Sequence, residues 1–217
     1  MSDTWTRRAP WTGIAAAVIA LISVIAGGTS MPGVDAPARD VVNHFDDGAQ
    51  ALSAVLGALS ALLVVFFAAT MRSRLRAAES LSNLVLIGGT LFALGIALFS
   101  GFVITLYDLA NSDKAIDPGT LQAINALNVD FFFPAVLGLA VWYFSTGLAV
   151  LSSGVLPRWW GWLSAGLGIL SILGPGGIVA LFLSIPWAFV TAILLMQADS
   201  AAGASYQESP VGTSEAG

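Results

Sequence analysis

Six apolar runs, roughly residues 11–28, 51–71, 84–107, 131–152, 157–174 and 178–196, dominate this chain, and apart from Arg158 at the lip of the fifth they contain no Asp, Glu, Lys, Arg or His. Crossing a bilayer as a helix takes about 20 such residues. Charged residues make up only 10% of the sequence and mean hydropathy is +0.85, against about 25% charged in soluble domains. So little charge cannot clothe a water-facing surface. The runs therefore predict an all-α polytopic membrane protein: one domain over residues 1–198 with six transmembrane helices. The polar, aperiodic tail 199–217 (DSAAGASYQESPVGTSEAG) is expected to be disordered.

The loops set the orientation. With the N-terminus inside, Arg7, Arg8, Arg72, Arg74, Arg76 and Arg158 are cytoplasmic, and only Arg39 and Lys114 lie outside. Asp35, Asp40, Asp46, Asp47, Asp108, Asp113, Asp117 and Asp130 all fall on the outer side. The expected topology is N-in/C-in, with both termini cytoplasmic. Arg7 and Arg8 before an apolar run, with Ala26-Gly27-Gly28 after it, also fit a cleavable signal peptide, but the run is long for one. The two longest loops, about 22 residues each, are too short for an independent core.

The residue inventory closes many chemistries. There is no cysteine, hence no disulfide, thiolate metal site or thiol nucleophile, and the single histidine excludes sites needing two imidazoles from one chain. Proton relays, ion-coupled transporters and voltage sensors place ionisable side chains inside the membrane; the spans offer none. No phosphate-binding GxxxxGK[ST] loop or GxSxG elbow occurs. No catalysis, metal, cofactor or nucleic-acid partner is expected. Ser60, Thr90, Ser100, Thr105, Ser145 and Thr146 read as backbone- or helix-bonding hydroxyls.

Helices in lipid pack through small residues. The third run carries Gly89, Ala93, Ala97 and Gly101 at spacing four; the second offers Ser53, Gly57 and Ala61, and the fifth Ser164 and Gly168. Pro134 suits a first helical turn, and Pro186 removes a hydrogen bond to the Phe182 carbonyl. The one polar constellation is external: His44, Asp46 and Asp47 before the second run, Asp108 closing the third and Asp130 opening the fourth. Adjoining helix ends would make it an acidic mouth for a hard cation. Helix capping accounts for Asp46, Asp47 and Asp130 equally well, and leaves Asp108 at an unfavourable C-terminus. In LPRWWGWLS, Pro157 starts a helix, Arg158 marks an inner loop, and Trp159, Trp160 and Trp162 form a partial collar of interfacial anchors.

Three segments, VVNHFDDGAQ (41–50), NVDFFFPAVLGLAVWYFSTGLAVL (128–151) and LPRWWGWLSAGLGIL (156–170), give residues 41–196 a family likeness. Together they resemble small bacterial multi-pass membrane proteins that share a domain of unknown function. In that family a Leu-Pro-Arg-Trp-Leu-Gly-Trp-like turn joins two late spans; here Trp160 replaces the leucine. The resemblance implies the fold and brings no activity, cofactor or catalytic residue. The functional expectation is a non-catalytic binding or assembly module in contact with membrane lipids, another membrane protein or an apolar small molecule. The alternative is a permease for a neutral or lipophilic solute without ion coupling, with Pro186 and the acidic mouth along its path.

Overall fold

A computed structural model describes residues 8–28, 31–113, 116–130 and 132–207, with side chains to residue 200. Arg7, Lys114, Phe131 and residues 208–217 lie outside the described residues. The described chain is helical without strands: α1 (Trp11–Gly27), α2 (Ala38–Phe45), α3 (Gly48–Arg74), α4 (Glu79–Ala110), α5 (Pro118–Asp130), α6 (Phe132–Ser153), α7 (Arg158–Ile172) and α8 (Gly176–Gln207). Four stretches, Gly48–Arg74, Glu79–Ala110, Pro118–Ser153 and Gly176–Ser200, are long and apolar enough to cross a membrane. At 17 and 15 residues, α1 and α7 are shorter. The last helix runs on to Gln207, into the segment the sequence assigned to a disordered tail. The small residues there, several of them alanine, do not oppose a helix that is already propagating.

Turn chemistry sets the boundaries. Asp47 accepts from the Ala49 backbone N–H at 3.0 Å and starts α3. Gly154 and Gly174, with φ of 67° and 53°, end α6 and α7 in the left-handed region that glycine adopts without strain. Pro157 then opens α7.

The long helices form a ring in chain order: α1 packs on α3, α3 on α4, α4 on α6, α6 on α7, α7 on α8, and α8 returns to α1. Within a bilayer, water supplies no drive between helices, so contact geometry and hydrogen bonds must hold such a ring. The α1/α3 seam uses hydroxyls. Ser23 and Ser53 each donate to the other's carbonyl, at 2.8 and 2.9 Å, and Ser60 donates to the Ala16 carbonyl at 3.0 Å. The α4/α6 seam uses backbone contact instead: a Cβ added at Gly95 would stand 2.5 Å from the Ala135 Cα, and added ones at Gly88 and Gly138 would strike the backbones of Trp142 and Phe92. At α6/α7 an added Cβ on Gly147 would lie 2.6 Å from the Ala165 nitrogen.

This corrects the expected packing stripe on α4. Gly89 and Ala93 are buried, Gly89 against Ala68 and Trp142, but Ala97 and Gly101 are exposed and Gly101 has nothing near it. Spacing four drifts off a seam that two helices share along their length. The used positions, Gly88 and Gly95, keep the spacing of seven that such a seam needs. Ser53, Gly57, Ala61, Ser164 and Gly168 do face neighbouring helices.

Candidate functional site

The two ends of the ring differ. At one, α2 and α5 lie outside the ring and pack together and on α4, joined by Val41, Phe45, Ala54, Val103 and Leu106, with Ile124 against them. Neither loop could bury a core alone; their two short helices share one over the end of α4. Gln122 and Asn125 donate to the carbonyls of Ala36 (3.3 Å) and Gly33 (2.8 Å), pinning the approach to α2 onto α5.

All five residues of the expected acidic mouth belong to this capped end, but they do different things. Asp47 is the cap of α3. Asp46 follows α2, and its backbone carbonyl accepts from Asn111 Nδ2 at 3.4 Å. Asp108 is exposed on α4. Asp130 is exposed within the long helical stretch Pro118–Ser153, where α5 meets the spanning helix α6; Phe131 between them lies outside the described residues. Among the described residues no three His, Asp or Glu side chains stand close enough to hold a metal ion.

His44 is half-buried, with its ring edge-on to Phe45 at 4.7 Å and its Nε2 buried without a partner among the described residues. Burial lowers its pKa below the ordinary 6.5. The unfolded chain then takes up the proton more readily than the folded one. The neutral ring's contribution is complete above 6.5 and is lost as pH falls from there through the lowered folded value. Thermal midpoints taken from neutral pH down to about pH 5 should fall in the wild type and fall less in His44→Gln. An equal fall in both would show that the acid sensitivity lies elsewhere.

Sequence reasoning missed Asn125 and Asn128, both fully buried on α5. Their spacing with Leu121, at i, i+4 and i+7, was the available signal. It also missed the ion pair between Arg74 and Asp199, which ties the end of α3 to α8; Asp199 had been placed in the tail.

The centre of the ring is aromatic. Trp187 on α8 lies nearly parallel to Trp160 of α7 at 6.3 Å, and edge-on to Trp142 and Tyr143 of α6 at 5.2 and 4.8 Å. Trp142 also meets Phe67 of α3 at 6.1 Å and Phe92 of α4 at 5.7 Å. Three of the four polar edges close on neighbours: Trp187 Nε1 donates to Ser164 Oγ (2.9 Å), Trp160 Nε1 to Thr191 Oγ1 (3.1 Å), and Tyr143 to the Ala180 carbonyl (3.0 Å), while Trp142 Nε1 is buried with no partner among the described residues. This corrects the tryptophan collar. Trp159 and Trp162 are 57% and 68% exposed, beside the exposed Arg158, but Trp160 is 5% exposed and belongs to the core. Pro186 faces outward from α8, away from this centre.

The geometry defines an all-helical protein with helices fit to cross a membrane and a packed aromatic interior. No family model matches the chain, and neither the curated proteins nor the solved structures compared with it give a match.

Proposed function

We propose that the chain is a six-span, N-in/C-in protein of a bacterial cytoplasmic membrane that acts without catalysis, as a binding or assembly module. The observation that carries this reading is the ring's centre, which five helices fill with Phe67, Phe92, Trp142, Tyr143, Trp160 and Trp187. A filled centre leaves a permeating solute no evident path, and spans without ionisable groups offer ion coupling nothing to act on. Pro186, outward-facing, lines no path either.

Charge supports the orientation. Helix directions put Arg72, Arg74, Arg76 and Arg158 at one end and eight aspartates at the capped end. At 1.5 Å per residue, α1 and α7 reach only about 25 and 22 Å against a core of about 30 Å. Exposed Trp11, Trp159 and Trp162 at their ends suit the headgroup zone. The resemblance of LPRWWGWLS to the late turn of the small multi-pass family points the same way.

A reporter active only in the cytoplasm, inserted at Ala77, should be on, and one at Asp113 should be off; the reverse pattern would overturn the topology. Mass spectrometry of gently extracted native protein should find a stoichiometric membrane subunit or lipid. Saturable uptake of a neutral solute into proteoliposomes would overturn the non-transport reading.

A further inference from the structure

The α3–α4 turn splits its three arginines. Arg74 turns inward to Asp199, while Arg72 and Arg76 are exposed and open with Ser73, Glu79, Ser82 and Asn83 onto one cleft. Asn83 Oδ1 accepts from Arg72 Nε at 2.8 Å, which steadies the guanidinium and leaves its terminal nitrogens as donors. Neither Arg72, Arg76 nor Glu79 makes an ion pair among the described residues. Two guanidinium groups opening onto one cleft suit a phosphate, but a second anion would meet Glu79. A carboxylate next to a phosphate site calls for a cation, and a primary ammonium also donates hydrogen bonds that a quaternary one lacks. Along the same helical rows the surface turns apolar: Leu62 and Phe66 on α3 and Ile87 and Leu91 on α4 are exposed, at 55%, 46%, 50% and 45%.

We propose that this cleft is a phospholipid site, taking a headgroup that joins a phosphate to a primary ammonium, with the acyl chains against Phe66 and Ile87. Arg72 and Arg76 hold the phosphate, and Glu79 selects the ammonium. This rests on the membrane reading above.

The test places the full chain in nanodiscs of phosphatidylethanolamine, phosphatidylglycerol and phosphatidylcholine in equal parts, and weighs the lipids retained on gentle ejection. The wild type should retain phosphatidylethanolamine above its bulk share. Removing each of the two arginines by glutamine should lower retention by about fivefold. Glu79→Gln should erase the preference for phosphatidylethanolamine over phosphatidylcholine while the thermal midpoint stays near wild type. Equal retention of phosphatidylglycerol, or a preference that survives Glu79→Gln, overturns the proposal. A chain that inserts but retains lipid only in bulk proportion overturns the headgroup site alone; a chain that will not insert removes the membrane reading, and this proposal with it.

Discussion

Gly138→Leu is expected to prevent the bundle from forming, whereas Gly101→Leu, on an exposed face of the partner helix α4, should leave it intact. An added Cβ at Gly138 would strike the Phe92 backbone, with the Leu91 carbonyl carbon 2.6 Å away; at Gly101 it would meet nothing within 4 Å. A flexible side chain can move aside, but here the obstacle is the main chain of α4, which the whole helix would have to shift. Overpacking a core costs about 1–3 kcal/mol where side chains can adjust, and a displaced helix should cost more than that. The loss should show as aggregation or loss of the monodisperse peak on gel filtration in mild detergent, and as loss of the cooperative transition on heating. A Gly138→Leu protein that eluted and melted like the wild type would mean that α4 and α6 are not in backbone contact.

How far the sequence foretold this seam depends on period. The apolar runs were legible because a bilayer demands length and apolarity, which composition shows directly. Which small residues meet is set by pairing, and spacing four was one or two residues in register away from the answer: Gly89 for Gly88, and Ala97 for Gly95. Trp160 was misplaced for a related reason. A tryptophan next to a loop arginine reads as an anchor, yet Trp160, Ser164 and Gly168 form an i, i+4, i+8 row whose last two members were already read as packing residues. Carrying that row back one turn would have buried Trp160. The capped end was illegible in a different way: Val41 and Phe45 on α2 and Leu121, Asn125 and Asn128 on α5 each mark a face, but that these faces meet each other over α4 is set by tertiary packing. The acidic mouth followed from chain position alone; Asp47 caps α3 instead, and Asp46, Asp108 and Asp130 are exposed.

Trp187→Ala should be the most destabilising side-chain truncation in the protein. Trp187 is 2% exposed and touches aromatic rings on α6 and α7, while its Nε1 bonds Ser164 of α7. Deleting the indole opens a cavity where three helices meet, a loss of about 3–5 kcal/mol for a buried Trp, and strands the Ser164 hydroxyl. In lipid the packing term matters all the more, because dispersion and interhelical hydrogen bonds do the holding that water does elsewhere. Trp187→Phe keeps much of the ring contact and drops the hydrogen bond, so its loss should be smaller by more than half. Trp162→Ala, at 68% exposure, should stay within about 0.5 kcal/mol. Unfolding in mixed micelles, followed by helical circular dichroism, ranks the three. The ranking also bears on function: a plug that stabilises the ring costs fold when it is removed, whereas a gate that merely blocks a path would yield a folded, leaky protein. Trp187→Ala proteoliposomes that kept the wild-type melting point and passed small neutral solutes would therefore make the aromatic centre a gate, and the chain a permease after all.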